Sequence, residues 1–397
     1  MSELPKTRAA LERGIADGLH PGAQLYVSRH GEAVADLALG EARPGVPMRP
    51  DTLMLWLSAS KPVAAVAIGQ LWERGLLRLD DPIALHVPEF AQGGKDAITI
   101  RHALTHTGGF RILQVGWPEA TWDETIAKIC AARREPRWEP GEKAGYHQTS
   151  SWFLLGEVVH RLTNRTFAAY VREEIFGPLG MTDCWIGMTA EAYHGYLAAD
   201  RLTAGWDTEA TPPKRHGWDD ELPVTRTSPG GGGWGPMREL GRFYEALLGG
   251  GELAGKRILW PQTVEALTAR HRVGMLDHTF RQVMDWGLGF IPNSRPGLAE
   301  TWAALQAQQR VGTAAGAASA TARTPDPALP YHYGPHASRR AWGHSGYRSS
   351  TAFADPTHGL VVAVAVNGTP SDAAHAARFR AVLAAVYEDL GLVAGGA

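Results

Sequence analysis

The sequence predicts an α+β protein whose single antiparallel sheet is assembled from both ends of the chain, with a mostly helical stretch inserted between them. Three observations predict it: β-rich alternating runs near each terminus, a terminal helical pattern beside each pair of runs, and helical periodicity through most of the middle. At the N-terminus, Leu11, Ile15 and Leu19 recur at helical spacing until Pro21-Gly22 stops the pattern. Strands follow at 23–28 and 33–39, joined by His30-Gly31 in what reads as a hairpin. Helices are expected near 60–75, 100–106, 150–163, 166–175 and 237–248, separated by loops such as Pro212-Pro213-Lys214 and the glycine run at 230–233. The C-terminal end mirrors the beginning, with strands at 349–354 and 360–366 around Asp355-Pro356 and an Ala-rich helix from about 372 to 390. This divides the chain into a sheet region, 1–60 with 285–397, and a mainly helical region, 61–284, with the site expected where they meet. Between 312 and 324 the composition collapses to Ala, Gly, Thr and Ser before Pro325 and Pro327, the signature of a loop or tether.

Bulk properties narrow the function class. The 397 residues are 44% hydrophobic and 20% charged, which is ordinary globular composition. A net charge of −2 with scattered Lys and Arg leaves no footprint for nucleic acid or acidic lipid, so a small-molecule partner is expected and the oligomeric state stays open. Cys130 and Cys184 make neither a disulfide framework nor a zinc pattern and read as reduced thiols. The N-terminal MSELPKTRAALERGIADG is polar and helix-patterned, unlike a secretory signal, and no apolar run reaches the length of a bilayer span, so a cytoplasmic location is expected.

Chemistry concentrates at three places. In Leu57-Ser58-Ala59-Ser60-Lys61-Pro62, three-residue spacing puts Ser58 and Lys61 on one face of a helical turn, and Pro62 marks the helix start because it is tolerated only within the first turn. A hydroxyl at a helix mouth sits beside free amides and the positive dipole end. An amine set among Val63, Val66 and Ile68 loses solvation in its charged form and becomes able to take the serine proton. The pattern alone recurs often by chance, with an N-capping serine and a solvated lysine as its plain explanation. The second place is Tyr146, on a connecting loop in Pro140-Gly141-Glu142-Lys143-Ala144-Gly145-Tyr146-His147-Gln148 just before a helix, where a phenol can reach a site. The third is Trp342-Gly343-His344-Ser345-Gly346-Tyr347, where Gly346 lets the strand edge come close and the amide of Tyr347 joins that of Ser58 as an oxyanion donor.

In order and spacing these segments resemble the serine β-lactamase-like and penicillin-binding-protein-like family, especially the class C β-lactamases, family VIII esterases and related acyltransferases. Supporting phrases are Leu79-Asp80-Asp81-Pro82, Leu104-Thr105-His106-Thr107-Gly108-Gly109, Ile175-Phe176-Gly177-Pro178-Leu179-Gly180-Met181 and Gly231-Gly232-Gly233-Trp234. The resemblance covers nearly the whole chain and implies a β-lactamase-like fold. It also implies Ser58 as nucleophile, Lys61 as its proton acceptor and Tyr146 as general acid and base, with Gln148, His344, Ser345, Gly346 and Tyr347 binding substrate. Two departures bear on substrate. His344 stands where many β-lactamases carry lysine, which speaks against recognition of a β-lactam carboxylate. Gln148 stands where the family usually has asparagine, which repositions an amide hydrogen bond to the acyl side or to Lys61.

Other classes fit less well. No glycine-x-serine-x-glycine elbow is present, because Gly343-His344-Ser345-Gly346 has its second glycine one place early. His102 and His106, four apart on an expected helix, lack the glutamate of a zincin and read as structural. The run Gly230 to Gly235 matches a dinucleotide fingerprint only formally and reads as a loop lining the site. A non-catalytic binding protein on the same fold would need a broken triad. The expectation is therefore a cofactor-free, metal-free acyl-enzyme catalyst acting on an ester or amide, with water, an amine or an alcohol as acceptor. β-Lactamase or D-amino-acid peptidase and amidase activity is the alternative. Trp206, Trp218, Trp234, Trp286 and Trp302 either line a cleft or belong to the core.

Overall fold

The computed structural model describes residues 4–293 and 333–393; the 312–324 segment lies outside them. Helix α1 (Pro5–Ala16) leads into strands β1 (Gly22–Arg29) and β2 (Glu32–Arg43). His30 and Gly31 both adopt positive φ, 51° and 81°, the geometry of a tight two-residue hairpin turn. The remaining sheet strands are β3 (Val46–Pro47), β4 (Ile291–Pro292), β5 (Trp342–Gly346), β6 (Ser350–Asp355) and β7 (Leu360–Val366), in the order β4-β5-β6-β7-β1-β2-β3 with every pair antiparallel. The C-terminal strands thus pair with the N-terminal hairpin at β7 and β1, joining the two ends of the chain.

Alternation along the strands decides which face meets which helices. Ala23, Leu25, Val27, Phe353, Val362 and Val364 pack with Leu11 of α1 and with Phe379, Val382 and Val386 of the C-terminal helix Asp372–Asp389. Each Val, Leu or Phe side chain so removed from water contributes about 1.5–3 kcal/mol. The other face is lined by Ala352, Ala354, Ala363 and Ala365, and these small residues leave room for helices α2 (Lys61–Glu73), α3 (Ser150–Thr163) and α4 (Met237–Leu248), whose apolar faces share one core with them. Polar contacts fix the approach of α4: Tyr26 donates to Glu245 Oε1 at 2.7 Å and Gln24 Oε1 accepts from Met237 N at 3.0 Å.

Several boundaries differ from the sequence reading. The helix expected at 100–106 runs only Ile100–Leu104, because His106 takes a left-handed φ of 59°. The 166–175 helix is α-helical over Phe167–Val171 and continues as a π turn over Arg172–Phe176. The glycine run ends in a strand, Gly233–Gly235, set between Met54–Leu55 and Trp185–Ile186; a Cβ at Gly233 would meet Ser60 Oγ and Trp56. Lys214, expected in a loop, begins the strand Lys214–Arg215, which pairs with Trp206–Asp207. Among the described residues no helix is long and apolar enough to cross a membrane.

Candidate active site

Ser58 is half-buried in a 3-10 turn, Leu57–Ser60, that runs directly into α2, where Pro62 occupies the first turn. The turn is held from both sides. Trp56 N donates to Gly233 O at 2.8 Å and Gly233 N to Ser60 Oγ at 2.9 Å, while Ser350 Oγ donates to Trp56 O at 2.6 Å. Leu57, immediately before Ser58, has φ of +48°, a left-handed conformation that costs a non-glycine residue about 1 kcal/mol or more. These clamps hold that strain in place and fix the direction in which Ser58 Oγ points.

Lys61 is fully buried, and its Nζ lies 3.0 Å from Ser58 Oγ, 3.0 Å from Gln148 O and 2.7 Å from Gly230 O. Burial drives its pKa well below the ordinary lysine value. The ring faces of Tyr146 and Trp152, 5.1 and 5.4 Å away, favour the cation but do not offset that desolvation. The hydrogen-bond arithmetic agrees: a neutral amine has two N–H groups, matching the two carbonyls, and one lone pair, facing the serine hydroxyl.

Tyr146 lies on the loop before α3 and its Oη donates to Ser58 Oγ at 2.8 Å. Burial raises the phenol above its usual range, against the lowering effect of the Ser58 hydrogen bond, so it stays protonated at neutral pH. Successive amides of this loop are all engaged: Gly145 N with His106 O at 2.9 Å, Tyr146 N with Asp277 Oδ1 at 3.2 Å, and His147 N with His106 Nδ1 at 3.0 Å. The result is a chain of donors from Tyr146 through Ser58 to Lys61.

The remaining predicted residues sit around this chain in different ways. Gln148 reaches Lys61 through its main-chain carbonyl, and its side chain is exposed; the expected amide contact with Lys61 is a backbone one, because the loop turns the carbonyl inward. His344 is fully buried with its ring centroid 6.3 Å from that of Tyr146. Its Nδ1 lies 2.9 Å from Ser345 O; a carbonyl only accepts, so Nδ1 carries the proton and Nε2 is a bare acceptor. Burial lowers its pKa to about 3. Ser345 Oγ is paired with Thr351 Oγ1 at 2.6 Å on β6. Gly346 packs the end of β5 against Trp56 O and Leu57, where any Cβ would collide, and Tyr347 beyond it is exposed.

The sequence did not single out Arg272 and Asp277, Gly230, whose carbonyl accepts from Lys61, or His106, whose Nδ1 accepts from His147 N. The Leu104-to-Gly109 phrase was the available signal for His106. His102 is structural, with Nδ1 accepting from Thr99 N in a capping box. Among the described residues no cluster of His, Cys, Asp and Glu could hold a metal ion. Cys130 and Cys184 are separate buried thiols, and burial pushes Cys130 up to about 11. Trp206, Trp218 and Trp234 line a slot of about 20 Å³ beside Leu57, room for about one water, whereas Trp286 is buried against Tyr146 and Trp302 lies outside the described residues. A larger apolar cavity of about 330 Å³, lined by Trp117, Trp122, Phe153 and Phe167, contains none of the predicted site residues.

Comparison with known proteins agrees with this architecture. Residues 7–387 match the family model described as Beta-lactamase. Esterase EstB of Burkholderia gladioli is 30% identical over 319 residues, covering 71% of this chain and 78% of EstB. A family VIII carboxylesterase structure superposes with a TM-score of 0.74 at 27% identity over 98% of each chain, and a penicillin-binding-protein homologue from Caulobacter crescentus with 0.73 at 29% over 97% of each. Fold, site layout and a family match over nearly the whole sequence lead to one conclusion: this chain belongs to the beta-lactamase family.

Proposed function

We propose that the chain is a serine carboxylesterase that works through an acyl-ester on Ser58. The observation that carries this reading is Lys61 Nζ, buried between two carbonyls with its third direction on Ser58 Oγ. In acylation, Ser58 Oγ bonds to the substrate carbonyl carbon as its proton passes to Lys61. The oxyanion is held by the amides of Ser58 and Tyr347, a role supported by the close approach of Gly346 to Leu57. Collapse breaks the bond to the leaving alcohol, which takes the proton of Tyr146. In deacylation, water attacks the acyl carbonyl and gives its proton to the Tyr146 phenolate. Ser58 Oγ then departs with the proton returned by Lys61, and the enzyme is restored.

Ester hydrolysis is favoured by the names of EstB and the family VIII carboxylesterase. His344 supports the same choice against β-lactams: a buried neutral imidazole supplies no cation to a substrate carboxylate where a lysine would. An alcohol or amine in place of water gives acyl transfer from the same intermediate.

The test is intact and peptide mass spectrometry after exposure to a p-nitrophenyl ester. One acyl mass on Ser58 is expected, with no adduct and a loss of about 10⁴-fold or more in kcat for Ser58→Ala. Full activity in that variant would remove the assignment. Adding alcohols and amines to the assay reads the partition between hydrolysis and transfer, and turnover of a chromogenic cephalosporin as fast as of the ester would overturn the argument from His344.

A further inference from the structure

The loop that carries Tyr146 is gripped on its second side by a short hairpin. Strands Leu276–Asp277 and Gln282–Val283 pair with each other, and Asp277 also forms a parallel bridge to Ala144. His278 N donates to Ala144 O at 2.8 Å and Thr279 Oγ1 to Tyr146 O at 3.2 Å, and the Phe280 ring lies 4.9 Å from the Tyr146 ring. Asp277 is the hub. Its Oδ1 accepts from Tyr146 N at 3.2 Å, Thr279 N at 2.9 Å and Phe280 N at 3.0 Å, and its Oδ2 accepts from Arg272 Nη2 at 3.0 Å.

Arg272 and Asp277 have side chains only 1% and 0% exposed. Taking such a pair out of water costs several kcal/mol per ion, so a site that needed only stability would be served as well by apolar residues. The arginine is spent on more than the ion pair: it also donates to Thr105 O and Met284 O, at 3.2 and 3.3 Å, and stacks on Trp286, 5.0 Å away. Trp286 in turn packs against Tyr146, His106 and His344. The pair therefore ties the hairpin to the Tyr146 loop and to the Trp286 ring packed against Tyr146.

We propose that Asp277, anchored by Arg272, is a positioning residue for Tyr146: it holds the loop amide so that the phenol stays within hydrogen-bond reach of Ser58. The proposal rests on the reading that Tyr146 delivers the proton to the leaving alcohol. A displacement of about 1 Å at such a group costs about 10²-fold in rate.

The experiment compares kcat/KM, which reports steps through acylation, for two esters of one acid. The p-nitrophenyl ester has a leaving group that needs no proton; the alkyl ester has one that does. Asp277→Ala is expected to lower the alkyl-ester value about 10²-fold and the p-nitrophenyl value by less than about 10-fold. Tyr146→Phe should show the same split, and the double variant should lose no more than Tyr146→Phe alone, because both changes remove one function. Thr279→Val, which deletes the contact to Tyr146 O together with an exposed one accepted from Arg111 Nη1, should give the same split at about 3- to 10-fold and decides the matter if Asp277→Ala does not fold. Equal losses on both esters, or losses that multiply in the double variant, overturn the proposal. Labelling of Ser58 in the unaltered protein by a fluorophosphonate separates the failures: label without the split sinks only the role of Asp277, and absence of label sinks the acyl-enzyme reading itself.

Discussion

Among the described residues two lysines are fully buried, and they have been given opposite surroundings. Lys95 Nζ faces three carbonyls, those of Gln92, Cys130 and Ala132. Carbonyls only accept, so this set suits an ammonium with three donors, and Lys95 acts as a clip between the loop at 92–95 and the end of the helix Trp122–Ala131. Lys61 faces two carbonyls and a hydroxyl. A hydroxyl can donate as well as accept, so this second set suits a neutral amine and gives its lone pair a proton to take. Burial lowers both pKa values, that of Lys61 well below the ordinary lysine value with burial as its one cause, while at Lys95 the Cys130 thiol opposes the shift. Burial alone does not make a base; the identity of the third partner does.

The strongest way to break this contrast is to replace each amine by an apolar chain of similar length. Lys61→Met is expected to lower kcat by about 10²–10⁴-fold with a modest change in Tm, since the lost donor is offset by removal of a buried amine. Lys95→Met should do the reverse, leaving kcat per labelled site near normal and destabilising the fold by about 2 kcal/mol or more through unpaired carbonyls. Stopped-flow ester hydrolysis and urea melts read both; loss of chemistry with Lys95→Met would erase the distinction.

A gentler change moves only the acceptors. A Cβ at Gly230 would lie 2.8 Å from Trp152 Cγ, and one at Gly93 would lie 2.8 Å from Ala132 O. Gly230→Ala should therefore shift the Gly230 carbonyl away from Lys61 and lower kcat about 10-fold. Gly93→Ala, at a φ of +70°, should lower stability by about 1 kcal/mol or more with kcat kept.

Acid sharpens the contrast further, with the smallest expected effect near neutral pH. His147 beside Arg111 and Arg272, His20 and His375 beside Arg378, and His344 are lowered to about 3, with burial the largest cause in each. They are neutral in the fold while the unfolded chain protonates near 6.5. The unfolded state therefore binds more protons between about pH 6.5 and 3, and stability falls as the pH falls through that window. Thermal melts should show Tm dropping by a few degrees between pH 7 and 5. Tyr146 stays protonated across that interval, because burial raises its phenol above the usual range. A flat Tm across that interval would contradict the buried neutral histidines.

Much of this was legible locally. The β-rich runs at 23–28 and 360–366 pointed to the sheet, and the three-residue step from Ser58 to Lys61 pointed to the two side chains whose Oγ and Nζ lie 3.0 Å apart, because both depend on neighbours within one turn or one hairpin. The helix expected to carry His106 shortened because that residue takes a left-handed turn to bind the Tyr146 loop, a demand invisible in helical periodicity.

The sequence by itself determined that Ser58 and Lys61 share one turn and roughly where the elements begin, since periodicity, proline placement and motif spacing are properties of adjacent residues. Tertiary structure alone decided that Lys61 meets the carbonyl of Gly230, 169 positions away, and that Tyr146 meets Asp277, 131 positions away. The reason is physical: whether an amine is a base or a clip depends on the dielectric and the partners packed around it, and those come from chain segments with no local relation to it.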